Sequence, residues 1–298
     1  MSKKTSRYSG NKHSPSKSFS AGPTERAGKR FFDKKPSTQT KASGNDSPDI
    51  WFGRHAVEQI LTNVISQGKN ITGRLLISRK DQKDDPDWEN LCRQAGILSE
   101  KTEFSQLSQM AGHDGHQGIL LNSIFKMPVL EKDELFESQS GLFIALEELE
   151  DPGNVGAIAR TSLGLGVRGL VFTRHRSAAL GATAMKASSG ALAWLPVLTV
   201  GGIPGLLLEL SRKNPDTIIL GADINAPDVE EILSRYNLHA GSPPVILVLG
   251  SEGHGLSRLT TERCTETVSL PQNGPITSYN VAASAAMLAY TISRRLIS

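Results

Sequence analysis

From Leu142 onward, short apolar runs alternate with helical stretches, and no other feature of this 298-residue chain limits its fold so strongly. The runs are LFIALE (142–147), GLVFT (169–173), PVLTV (196–200), TIILGAD (217–223), VILVLG (245–250) and TVSLP (267–271). Runs so short and so apolar read as strands buried on both faces. Helices between successive strands require crossovers, which makes the fold α/β with a mostly parallel sheet covered on both sides. Ligands of such sheets collect beyond the carboxyl ends of the strands. The loops after Glu147, Leu249 and Leu270 are therefore the places to look for chemistry.

A second, smaller α/β domain precedes this one, over residues 49–122. Ala56, Val57, Ile60, Leu61 and Val64 give a helical period between His55 and Ile65, and RLLIS (74–78) reads as a buried strand. A helix over Asp87–Ala95, a strand over Ile97–Lys101, a helix over Glu103–Met110 and a strand over Gly118–Asn122 complete it. The charged, Pro-containing stretch 123–140 reads as a linker to the larger domain, 141–298.

Residues 1–48 are rich in Ser, Lys, Gly, Thr and Pro without a sustained apolar period, so they are expected to be a disordered arm. They hold 11 Lys or Arg against 3 acids, a charge of +8; with +3 for the whole chain, the remainder carries −5. Such an arm suits attraction to nucleic acid. A solubilising tail and a transit peptide are the other readings of the same composition.

Several classes drop out. Cys92 and Cys264 have no paired spacing that would suggest a disulfide framework, a zinc cluster or a redox pair, so reduced thiols and no metal are expected. No apolar run reaches the ~18 to 20 residues that span a bilayer, and Met1–Ser20 lacks the apolar region of a secretory signal. The expectation is a soluble, cytoplasmic protein without membrane contact. Gly164-Leu-Gly166-Val-Arg-Gly169 satisfies the dinucleotide expression G-x-G-x-x-G, but its context is reversed: these glycines close a helix and lead into a strand.

The three loops carry residues that are harder to assign to turns alone. The first holds Asp151-Pro152-Gly153-Asn154, where Asp151 or Asn154 can cap the helix that follows, and Arg160 lies nearly two turns further on with Ala157 and Ala159 beside it. The second, after Leu249 and Gly250, places Glu252 as the first charge after a wholly apolar strand, among glycines 250, 253 and 255. The third runs from Leu270 through Gln272, Ser278 and Tyr279 to Asn280, before a long helix over Val281–Leu296.

The segments DPGNVGAIARTS, LVLGSEGHGLSRLT and LPQNGPITSYNVAASAAMLAY resemble motifs one, two and three of the SpoU/TrmH family of RNA 2′-O-ribose methyltransferases, in order and at similar spacing. IWFGRHAVEQIL and HQGIL are similar to the L30e-like domain of the bacterial member that methylates a guanosine of 23S rRNA. The resemblance implies a SPOUT trefoil-knot fold, S-adenosylmethionine as cofactor, RNA as substrate and a homodimer with its active site near the subunit interface. It also implies that Arg160, Asn154, Glu252, Ser278 and Asn280 form the catalytic set. Leu249, Gly250, Gly255, Leu270, Gln272, Tyr279 and Asn280 would border the cofactor. Gly153, Gln272 and Tyr279 depart from the His, Met and Leu common at those family positions.

A base role is assigned to the matching arginine in related enzymes, yet a guanidinium, with a pKa above ~12, is a poor proton acceptor. Arg160 reads better as a clamp on the adjacent phosphate and a stabiliser of the forming alkoxide. Asn154 and Glu252 would position the ribose and the arginine, and Ser278 and Asn280 would shape the cofactor loop, with Asn280 also able to cap a helix. The L30e-like segment favours rRNA; tRNA is the alternative substrate, and an RNA-binding assembly module without catalysis is the alternative class.

Overall fold

The computed structural model describes residues 49–79, 85–275 and 278–297. The basic arm, residues 1–48, lies outside the described residues. The first sheet is built by β1 (Asp49–Phe52), α1 (Arg54–Ser66), β2 (Gly73–Ser78), α2 (Trp88–Ala95), β3 (Leu98–Thr102), α3 (Phe104–Ala111) and β4 (Ile119–Ser123). Its strand order is β1-β4-β2-β3, with β4 antiparallel to both neighbours and β3 parallel to β2.

Helix α1 buries the residues its period singles out: Ala56, Val57, Ile60, Leu61 and Val64. Asp87 caps α2 by accepting from the Asn90 amide at 3.0 Å. Strand β1 has no sequence signal beyond two aromatics, Trp51 and Phe52, and it forms because they are buried beside β4. His116 is wholly buried, with Nδ1 accepting from the Gly118 amide at 3.1 Å and Nε2 beside the Ser108 hydroxyl at 3.0 Å. Burial holds its pKa below the ordinary imidazole range, so it acts as a neutral pin for the turn before β4.

Between the sheets, α4 (Lys132–Phe136) lies in the stretch expected as a linker. Pro128 and Leu130 exchange backbone hydrogen bonds with Val197, and Leu130, Leu135 and Phe136 are buried. Only five residues long, α4 is too short for a periodicity argument to find.

The second sheet follows with β5 (Leu142–Leu146), α5 (Pro152–Gly164), β6 (Gly169–Thr173), α6 (Ala182–Ala187), a 3-10 turn (Ala191–Ala193), β7 (Val197–Val200) and α7 (Ile203–Lys213). It continues through β8 (Ile218–Ala222), α8 (Val229–Leu233), β9 (Val245–Leu249), α9 (Arg258–Thr261), β10 (Glu266–Val268) and α10 (Val281–Ile297). The order is β10-β8-β9-β5-β6-β7 and every pairing is parallel. Strand alternation divides the core: Ile144, Leu146, Leu247 and Leu249 face one apolar cluster with α5, α8 and α10, while Phe143, Ala145, Ile246 and Val248 face another with α4 and α7.

The first of these clusters continues without a break into the α1 and α2 side of the small sheet. Glycines 164, 166 and 169 end α5 and open β6, with the Gly166 amide bonded to the Leu163 carbonyl at 3.2 Å, so the apparent dinucleotide expression is a helix stop. Both cysteines are free, and burial pushes the Cys92 thiol up to about 11 and, aided by the Glu147 carboxylate, the Cys264 thiol up to about 12. Among the described residues no helix is long and apolar enough to cross a membrane, and no cluster of His, Cys, Asp and Glu could hold a metal ion.

Candidate active site

Loop one is built on a helix start. Asp151 caps α5 by accepting from the Gly153 amide at 2.9 Å, and Pro152 occupies the first turn, where its missing N–H costs nothing. That start fixes Asn154 in the first turn. Its side-chain amide donates to Glu252 Oε1 of loop two. Asn154 Oδ1 in turn accepts from Asn280 Nδ2 at 3.1 Å, and Asn280 Oδ1 accepts from the Ala282 and Ala283 amides at 2.9 and 3.4 Å, capping α10.

Residues 98 and 126 positions from Asn154 thus converge on one side chain. The direction of the chain is dictated at both ends. A carboxylate can only accept and the first amides of a helix can only donate, so each carboxamide has a single orientation that satisfies its neighbours. Asn280 is both cap and link, as its place before α10 allows.

Loop two is tight because its backbone doubles back. Ser251 and Gly255 exchange two backbone hydrogen bonds, of 3.1 and 3.0 Å, and Gly255 sits at φ 64°. A Cβ on Gly250 would lie 2.1 Å from the Gly255 carbonyl, closer than any real contact, so this position must be glycine. The far end of the loop is held by Glu147, which is 6 % exposed. Its carboxylate accepts from the Ser257 amide at 2.9 Å, the Ser257 hydroxyl at 2.9 Å and the Thr260 hydroxyl at 2.6 Å. Sequence reasoning passed over Glu147, although the signal was present: it is the one charge in an otherwise apolar strand run, as Glu252 is the first after another.

Loop three is closed by Tyr279, whose hydroxyl donates to the Pro271 carbonyl at 2.9 Å. Loops two and three, with the end of β8, enclose a cleft of about 630 Å³, within the ordinary range for a small-molecule site. Leu249, Gly250, Gly255, Leu270, Gln272, Tyr279 and Asn280 all line it, as do Glu252 and Ser278. Ala222, Asp223, Ile224 and Asn225 line it too and were missed. Asp223 carried the same signal as Glu147, an acid directly after an apolar strand.

Apolar Leu249, Val268, Leu270 and Leu288 line this cleft together with polar groups and glycine backbone. That mixture, at that volume, fits a nucleoside carrying a charged tail, so the residues present suit S-adenosylmethionine.

Arg160 stands apart. It is exposed on α5, about 9 Å along the axis from Asn154. Among the described residues its side chain has no hydrogen-bond or ion-pair partner, and it does not line the cleft. Neither Asn154 nor Glu252 hydrogen-bonds to it; they bond to each other instead. Of the two alanines beside it, Ala159 is buried in the core and Ala157 is exposed.

Residues 141–290 match the model of the SpoU rRNA Methylase family, and residues 50–123 match the RNA 2′-O ribose methyltransferase substrate-binding model. The chain is 33 % identical over 210 residues to an uncharacterized tRNA/rRNA methyltransferase of Mycobacterium avium, a match covering 67 % of this chain and 63 % of that protein. It is 30 % identical over 203 residues to the 23S rRNA (guanosine-2′-O-)-methyltransferase RlmB of Ralstonia nicotianae, covering 67 % and 78 %. Its fold is similar to that of the SpoU methyltransferase AviRb of Streptomyces viridochromogenes in complex with the cofactor AdoMet, with a TM-score of 0.65, 21 % identity and coverage of 84 % and 90 %. At that identity the likeness speaks for the α/β SpoU fold. The chain belongs to the SpoU family of RNA methyltransferases, enzymes whose methyl donor is S-adenosylmethionine.

Proposed function

We propose that the chain is a 2′-O-ribose methyltransferase for a guanosine of 23S rRNA, acting in the cytoplasm as a homodimer. In this reading residues 141–298 carry the chemistry, residues 49–122 hold the RNA and the basic arm adds phosphate attraction. The hydrogen-bonded line Glu252–Asn154–Asn280 carries the proposal, since it ties the three motifs together at the lip of the cleft. The RlmB relative and the SpoU rRNA Methylase match favour rRNA. The tRNA/rRNA naming of the mycobacterial relative keeps tRNA as the second reading. Exposed Leu163 on α5 and Met287 and Tyr290 on α10 offer an apolar face for a second copy.

The chemistry supplied by bound S-adenosylmethionine is a methyl group activated on a sulfonium. The chain must bring a ribose hydroxyl in line with it, the hydroxyl proton passing to solvent water; orientation of this kind contributes about 7 to 11 kcal/mol to such reactions. Leu249, Gly250, Gly255, Leu270, Gln272 and Tyr279 border the cofactor. Arg160 grips the phosphate beside the target ribose with its planar fork and stabilises the forming alkoxide. Asn154 and Glu252 orient the ribose, and Ser278 and Asn280 keep loop three in shape.

Labelled methyl transfer to unmodified 23S rRNA and, separately, to bulk tRNA tests this. Label on rRNA is expected; label on tRNA alone would move the assignment to the second reading, and cofactor binding without transfer to any RNA would favour a non-catalytic module. The Asn154–Glu252 bond gives a finer test. Asn154→Ala and Glu252→Ala should each lower kcat/KM by about ten-fold, and the double variant should be no more than about three-fold worse than either, because one bond is lost in all three. Losses that multiply would separate the two residues.

A further inference from the structure

The segment from Ala182 to Trp194 touches both the small sheet and the helix that carries Asn154 and Arg160. On one side α6 packs against α5 at a point where the two backbones nearly meet: a Cβ on Gly156 would lie 2.4 Å from Ala187 Cβ, 2.7 Å from the Ser188 nitrogen and 2.8 Å from the Ala184 carbonyl oxygen. The following 3-10 turn also packs on α5. On the other side, Lys186 Nζ donates to the Gly115 carbonyl at 2.6 Å, in the turn before β4. Trp194 Nε1 donates to Gln59 Oε1 on α1 at 2.9 Å. Ala182 packs against the apolar cluster of Phe52, Leu76, Leu107 and Leu120 in the small domain and against the larger cluster shared by the two domains.

From this we infer that residues 182–194 are a rigid coupler, with Lys186 and Trp194 as positioning residues that set the small sheet in register with α5. The inference rests on the reading that the small sheet holds the RNA. Two features make the coupler stiff. Its side-chain hydrogen bonds to the small domain are made at two separated points, Gly115 before β4 and Gln59 on α1, so neither can act as a hinge while the other holds. Its contact to α5 at Gly156 has nothing larger than the Ala187 methyl between the backbones, so a shift of α6 moves α5 with it. RNA seated on the small sheet is thereby presented to Arg160 at one fixed distance, which a flexible tether could not do. A misplacement of about 1 Å costs on the order of 100-fold in rate, so this register matters for turnover and little for binding.

The test uses the full chain with Lys186→Ala and Trp194→Phe combined, and Lys186→Arg as the conservative variant. Amide hydrogen exchange in the free protein should rise at residues 53–59 and 113–118, while α5 and the cleft loops stay protected. S-Adenosylmethionine affinity should stay within about two-fold, and the Kd for a 23S rRNA transcript within about three-fold. The kcat for methyl transfer should fall at least ten-fold and be largely restored in Lys186→Arg. Unchanged exchange would show that the two contacts do not hold the small sheet. Raised exchange with an unchanged kcat would show that the register is not used, and cofactor affinity falling in step with kcat would assign the residues to the fold of the larger sheet. A parent protein that transfers no methyl to any RNA, but shows the exchange response, would leave the coupler standing and remove the function it serves.

Discussion

Replacing Arg160 with Ala should lower kcat by about 100- to 1000-fold, the usual cost of removing one charge-stabilising donor from a reacting centre, and leave S-adenosylmethionine affinity unchanged. The two halves of that expectation have separate physical origins. Arg160 does not line the cleft, so nothing that holds the cofactor is lost. Its side chain is exposed and, among the described residues, has no partner, so truncation strands no buried group and melting temperature should barely move. What disappears is a charged planar fork aimed away from the protein. Arg160→Lys separates charge from shape: if a bidentate grip on phosphate is the role, Lys should remain at least ten-fold below the parent enzyme. Near-normal turnover with Lys would sink that role, and a cofactor affinity that drops with Arg160→Ala would place the residue in cofactor binding.

How far these features could be read from sequence depends on the range of the interaction behind each. The parallel sheet was legible because burial on both faces leaves an unbroken apolar run, as in VILVL of β9. The loops carrying Asn154, Glu252 and Asn280 were legible for the same reason, since ligand sites follow strand ends. What sequence did not disclose is how these residues spend their hydrogen bonds. Positioning of the arginine was expected of Asn154 and Glu252, but their nearest satisfied partners are each other and Asn280, across separations of 98 and 126 residues. No local pattern encodes a contact of that length. Glu147 escaped for a related reason: its value lies in Ser257 and Thr260, which only the fold delivers to it. Helix α4 and strand β1 are too short to show a period, and their ordering comes from the surfaces they cover.

Gly250→Ala should destroy cofactor binding although it adds a single carbon. The new Cβ would sit 2.1 Å from both the carbonyl carbon and the oxygen of Gly255 and 2.4 Å from the Leu256 nitrogen. All three are backbone atoms, so no side chain can rotate to make room. The strain can be relieved only by opening the Ser251–Gly255 pair, and the loop is anchored on both sides, by β9 before it and by the Glu147–Ser257 bonds after it. Overpacking of this kind costs about 1 to 3 kcal/mol where it can relax. Here relaxation removes the loop shape that borders the cleft, so cofactor affinity should fall by more than about 150-fold, beyond the roughly 5- to 150-fold that the strain alone would give. Gly253→Ala is the matched comparison, because a Cβ there meets nothing within 4 Å of protein. It should melt at the parent temperature, whereas Gly250→Ala should melt several degrees lower. Calorimetric titration with S-adenosylmethionine decides the matter. Binding by Gly250→Ala within three-fold of the parent would mean that loop two is not the rigid border of the cofactor cleft that its two backbone hydrogen bonds indicate.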